Sequence, residues 1–213
     1  MKTKRKALLL TFCAVLLVVA SVLGTIAYLT ANDKVTNTFT VGQVAINLDE
    51  AKVTEDGKAV TPADRVKKNS YKLLPGHTYT KDPTVTVLKG SESSYIKMTV
   101  TFTMAKELDA IFAPNGADLT SIFKDYSGKK WIYKGNTKDA TDNTRTYEFW
   151  YKEAVGAPTA DVKLDALFDS ITVPSTINND QLKTIAGMTI TVNAYAIQAD
   201  GFTTAEEAWD AFS

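Results

Sequence analysis

The sequence predicts an all-β chain: a jelly-roll-like antiparallel β-sandwich with short helical insertions, preceded by a cleavable signal helix. Three observations carry this. Tyr95–Met104 (YIKMTVTFTM) alternates strictly, with Ile96, Met98, Val100, Phe102 and Met104 on one face and Lys97, Thr99, Thr101 and Thr103 on the other, as a strand with one buried and one wet face does. About seven to ten segments of this kind recur between turn residues, with only short helices among them, which is the spacing of a sandwich or jelly roll. A basic start and a long apolar run open the chain, as in an export signal.

Lys2, Lys4, Arg5 and Lys6 form the charged start, and the seventeen residues from Ala7 to Leu23 are apolar apart from Thr11 and Ser21. A retained membrane anchor takes about 20 apolar residues, so the run is borderline for spanning. The small residues that follow favour cleavage, with Thr25 and Ala27 at the −3 and −1 places of a cut before Tyr28. Residues 1–27 are thus read as a signal peptide, 28–41 as an N-terminal extension, and 42–213 as the sandwich domain.

Removing the signal leaves 186 residues with 20 basic against 24 acidic side chains, a net charge of −4. That length buries a real core. The mild negative charge argues against nucleic acid or an anionic membrane as partner; membrane contact is expected only through an uncleaved signal. The single cysteine, Cys13, lies mid-way through the apolar run. A lipid-attachment cysteine belongs at the end of that run, so lipidation is not expected, and the exported chain carries no disulfide.

In order along the chain, Val35, Phe39 and Val41 share one parity with Asn37 as the polar exception, Thr36, Thr38 and Thr40 occupy the opposite face, and Val44, Ile46 and Leu48 take the other parity. The switch at Gly42-Gln43 predicts a bulge, bend or hinge. Ala51–Thr61 reads as a small hairpin turning at Asp56-Gly57. Residues 62–83, with Pro62, Pro75-Gly76 and Pro83, read as irregular; Thr84–Lys89 is a short strand stopped by Gly90. Two helical pieces, Ala105–Phe112 and Ala117–Tyr126, follow the alternating strand. Trp131–Tyr133 starts a strand expected to break at Gly135-Asn136, Thr137–Asn143 reads as a loop, and Thr144–Lys152 (TRTYEFWYK) as an aromatic strand. Lys163–Val173 is strand or mixed. Asn179–Ala186 is a short helix with an Asn or Asp cap and Gly187 beyond its end. Met188–Gln198 is a long strand, and Thr203–Phe212 an amphipathic helix capped by Thr203 or Thr204.

No catalytic constellation emerges, and no enzyme activity or cofactor is expected. His77, the only histidine, sits in a Pro-Gly turn, so neither a His/Cys zinc site nor His-Glu-x-x-His is possible. Carboxylate pairs at Asp49-Glu50, Glu55-Asp56 and Glu206-Glu207 suit strand ends, a turn and a helix start, and no EF-hand loop is present. Trp131, Tyr133, Tyr147, Phe149, Trp150 and Tyr151 read as core and cross-strand packing rather than a carbohydrate platform.

Gly24-Thr25-Ile26-Ala27-Tyr28, the Thr/Phe-rich Thr36–Thr40, and the G-x-V-x-I-x-L pattern of Gly42, Val44, Ile46 and Leu48 resemble the start of the TasA/camelysin family of exported bacterial proteins. Leu73–Val100, with its Pro-Gly and Lys-Asp-Pro elements, and the closing ITVNAYAIQADGFTTAEEAWDAF are similar to later parts of that family; about residues 105–185 are unmatched. The resemblance implies a jelly roll, a signal of the SipW-dependent type removed by a SipW-like signal peptidase, and a secreted subunit of extracellular biofilm-matrix or cell-surface fibres. It implies a donor strand, including Val35, Thr36, Thr38, Phe39 and Val41, that completes the sheet of the next subunit, with Gly42 and Gln43 as the hinge. The partner is then the chain itself in a head-to-tail homopolymer, with other matrix subunits as further partners. Two other readings stand beside it: a cell-surface module binding glycan or host protein through an exposed aromatic patch, and a camelysin-like secreted metalloprotease, for which the zinc ligands are lacking.

Overall fold

The computed structural model describes residues 2–29, 42–112 and 126–212, and the chain divides into two compact units, Met1–Val41 and Gly42–Ser213. In the first, helix α1 (Lys2–Leu29) carries the basic start and the apolar run. Its side chains from Thr3 to Val19 are exposed, and Thr11 Oγ1 donates to the Ala7 carbonyl at 2.9 Å, a local bond that hides its hydroxyl within an apolar stretch. Among the described residues no helix is long and apolar enough to cross a membrane.

The second unit is mostly antiparallel β-sheet with few, short helices. In chain order it contains β1 (Ile46–Ala51), β2 (Arg65–Val66), β3 (Thr78–Thr80), β4 (Thr84–Val87), β5 (Ser94–Thr103), α2 (Ala105–Phe112), β6 (Trp131–Asp139), β7 (Thr144–Tyr151), β8 (Val162–Lys163), β9 (Ser170–Thr172), α3 (Asn179–Thr184), β10 (Ile190–Gln198) and α4 (Ala205–Phe212). One sheet has the order β2-β1-β4-β8, a second β10-β5-β7-β6, and β3 and β9 form a two-stranded ribbon. The two larger sheets share one core. Val85 and Val87 from the first meet Ile96, Met98, Val100, Phe102, Tyr147 and Phe149 from the second, all fully buried. The buried set is the even-numbered face of β5 and the odd-numbered face of β7, which the alternation of each strand dictates.

Helix ends follow their side chains. Asn178 caps α3 in a reciprocal capping box with Gln181, and Gly187 lies beyond it with φ +85°, a left-handed value natural to glycine. At α4, Thr204 Oγ1 accepts from the Glu207 N–H while a Glu207 carboxylate oxygen accepts from the Thr204 N–H at 3.3 Å, again a capping box, and from the Thr203 N–H at 2.8 Å.

Two expectations need correction. The strand begun at Trp131 does not break at Gly135: β6 runs on to Asp139, and the register shift between Tyr133 and Gly135 marks a bulge, with Gly135 at φ +135°. Pairing with β7 overrides the poor strand propensity of Asn136–Asp139. Residues 62–83 are not wholly irregular, since β2 and β3 form there. Lys163–Val173, read as strand or mixed, is mixed: it contributes to two strands in different sheets, β8 and β9, separated by a stretch that buries Leu164, Leu167 and Phe168. The expected helix Ala117–Tyr126 lies outside the described residues except for Tyr126, which starts a 3₁₀ turn.

Candidate functional site

A sheet edge is an unpaired row of N–H and C=O groups, and proteins usually blunt it. In the β2-β1-β4-β8 sheet the terminal strands are two residues each. In the other sheet β6 carries the bulge at Gly135 together with Lys134 and Lys138. The remaining edge is β10. It runs nine residues, ITVNAYAIQ, with no charge, proline or glycine, and among the described residues only β5 pairs with it. The Thr103 N–H bonds to the Thr189 carbonyl, and the Ala199 N–H to the Ser93 carbonyl. In the β10–β5 register, odd-numbered residues of β10 therefore bond to β5. The amides and carbonyls of Ile190, Val192, Ala194, Ala196 and Gln198 point to the outer edge, because successive residues alternate direction.

Beside that edge lies a cleft of about 1080 Å³ between the two sheets. Ile46 and Leu48 of β1 form one wall and Ile190, Val192 and Ala194 of β10 the other, with Phe102, Leu108 and Ile185 beneath. β1 is less open than β10. Its own outward carbonyl at Leu48 accepts from the Lys67 ammonium, which also reaches Asn47 Oδ1.

The approach to β1 is fastened. The Gln43 carbonyl accepts from Glu92 N–H at 2.9 Å, and the Ala45 carbonyl from Leu88 N–H at 2.9 Å. Ser91 Oγ both accepts from the Ala45 N–H and donates to its carbonyl, each at 3.0 Å. Gly42 alone precedes these bonds, and a Cβ there would meet Glu92 Cγ at 2.8 Å. Of the two expected hinge residues, Gln43 is tied down through its carbonyl.

One side of the cleft is held by a dense ionic cluster that pattern reading missed. Arg65 Nε donates to Asp49 at 2.7 Å, Arg65 Nη1 to Asp82 Oδ2 at 2.5 Å, and Asp82 Oδ1 accepts from the Ala51 N–H at 2.6 Å. Next to it, Lys81 Nζ donates to Glu50 Oε2 at 2.6 Å, with both side chains about nine-tenths buried. Asn69 Nδ2 donates to Glu50 Oε1 at 3.0 Å and to the Ala51 carbonyl at 2.8 Å, while its Oδ1 accepts from the Val53 N–H at 3.0 Å. Burial, and after it the negative charge of Glu50, pushes the Tyr71 hydroxyl above its ordinary range. Only the Lys81-Asp82-Pro83 run and an acidic strand end at Asp49-Glu50 hint at this cluster in the sequence.

Thr25, Ala27 and Tyr28 fall within α1; Val35, Thr36, Thr38, Phe39 and Val41 lie outside the described residues. His77 is exposed beside the Pro75-Gly76 turn. Tyr147 is fully buried, and Trp150 is covered by Lys134, whose Nζ lies 4.1 Å from its ring centroid, and by Trp209, 6.3 Å away. The aromatic strand is thus spent on packing, including the docking of α4. No group of three or more His, Cys, Asp or Glu side chains able to hold a metal occurs among the described residues. No protein-family model, curated protein or solved structure matches the chain.

Proposed function

We propose that the chain is a secreted structural subunit that polymerises by strand addition. The N-terminal segment of one copy, released by signal cleavage before Tyr28, joins the open edge of the next. The observation that carries this reading is the β10 edge: nine uncharged residues with outward main-chain groups, flanking an apolar cleft, while the other sheet edges among the described residues are short, bulged or charged. Two four-stranded sheets around one core support the jelly-roll form of the sandwich.

In this reading the donated strand lies within residues 28–41 and includes Val35, Thr36, Thr38, Phe39 and Val41, with Gly42 and Gln43 as the hinge. A contact that joins two different surfaces and repeats without closing gives an open filament. The resemblance to TasA/camelysin proteins points the same way: export by a SipW-dependent signal, removal by a SipW-like peptidase, and residence in matrix or surface fibres. Burial of Tyr147 and the packing of half-buried Trp150 against Lys134 and Trp209 favour this reading over an aromatic-patch binding module.

Electron microscopy of the chain cut before Tyr28 tests the reading. Fibres are expected from it, and a soluble, folded monomer from a chain that begins at Val41. Equal polymerisation by the shortened chain would overturn strand donation.

A further inference from the structure

The Lys81–Glu50–Asn69 trio takes no part in strand addition, and its arrangement has a chemistry of its own. A buried amine, a buried carboxylate and a carboxamide are gathered on one point: Glu50 receives the Lys81 Nζ on one oxygen at 2.6 Å and the Asn69 Nδ2 on the other at 3.0 Å. Lys81 and Glu50 are 6% and 8% exposed. The Tyr71 ring lies alongside, 5.8 Å from Lys81 Nζ. The Asn69 carbonyl oxygen accepts from the Val53 N–H at 3.0 Å, and its Nδ2 is further oriented by the Ala51 carbonyl.

We propose that Lys81 and Asn69 join through an intramolecular isopeptide bond, with Glu50 carrying the protons. The first step passes a proton from the Lys81 ammonium to Glu50 across their 2.6 Å hydrogen bond. The freed lone pair attacks Asn69 Cγ. Negative charge develops on Oδ1, where the Val53 N–H already points, the geometry of an oxyanion donor. The Cγ–Nδ2 bond then breaks as Glu50 hands its proton to the departing nitrogen, and a second Lys81 proton follows by the same carboxylate. Ammonium leaves, Glu50 is a carboxylate again, and an amide links Nζ to Cγ. Neither an oxidant nor a co-reactant is required. Proximity replaces an activated acyl donor, since positioned groups react with very high effective molarity. The link would tie the segment after β2 to the end of β3 along the cleft, in a chain that has no disulfide to do so.

Intact-mass spectrometry and tryptic mapping of the purified chain test this. The chain is expected to be lighter than its sequence by one ammonia. Lys81 is expected to resist trypsin, so that residues 69–72 travel attached to residues 73–89. Glu50→Gln and Lys81→Arg are expected to restore the full mass and the free peptides. A wild-type chain at full mass overturns the proposal. So does ammonia loss mapped to another asparagine, or loss of water joining Lys81 to Glu50 itself.

Discussion

At the scale of single residues, Gly57 shows how closely the small hairpin is fitted to its neighbours. Its φ is +78°, and a Cβ would lie 2.5 Å from Tyr79 Cδ1 and 2.8 Å from the Tyr79 Cα. Tyr79 cannot retreat: it is buried, its hydroxyl donates to the Lys72 carbonyl and accepts from the Leu74 N–H, each at 2.7 Å, and Tyr71 packs edge-on against it. Gly57→Ala therefore combines left-handed backbone strain with overpacking against main chain, for a loss of about 2–4 kcal/mol. Chemical denaturation at neutral pH reads this directly; a loss below about 0.5 kcal/mol, the scale of an ordinary surface substitution, would mean the turn can shift away from Tyr79. Asp56-Gly57 was legible in the sequence as a turn. That its glycine was also required by a tyrosine 22 residues later was not, because turn propensity is local and the contact is not.

Among the elements, those whose burial follows their own periodicity could be read in advance: β5, β7, α2 and α4 have the alternating or amphipathic patterns that packing then uses. β6 could not, because its outer half is polar and held by hydrogen bonds to β7, which no residue-by-residue pattern encodes. The open edge at β10 was likewise invisible, since an edge is a property of what fails to pair. The hairpin around Val53 and Ala59 belongs to the legible set, and its electrostatics are measurable. Lys58 and then Thr54 hydrogen-bond the Asp56 carboxylate and lower its pKa from 3.8 to about 2. A carboxylate with a depressed folded-state pKa adds stability that is complete above the unfolded value and lost as pH falls through the folded one. The contribution of Asp56 is thus constant above pH about 4 and disappears toward pH 2. NMR titration of its carboxyl carbon should give a midpoint near 2; a midpoint near 3.8 would mean that the turn contacts do not persist in solution.

For the molecule as a whole, the proposed strand addition would use the side of β10 that folding leaves unused. The odd-numbered residues of β10 spend their main-chain groups on β5, inside the subunit, and the even-numbered residues hold theirs toward the outer edge. Proline, which has no N–H, separates the two roles. At Ala194 it removes an outward donor and leaves the β5 ladder complete, so Ala194→Pro is expected to stay folded, losing on the order of 1–2 kcal/mol to backbone fit at an edge position, while fibre growth stops. At Asn193 the N–H points to β5, so Asn193→Pro is expected to cost about 3 kcal/mol or more and to lower the melting temperature sharply. Thermal unfolding and electron microscopy of both variants, each cut before Tyr28, distinguish the outcomes. If Ala194→Pro folds and still forms fibres of normal length, strands do not add at β10. If it loses as much stability as Asn193→Pro, the outward set is bonded within the subunit, and the cleft beside it is closed by the chain's own residues.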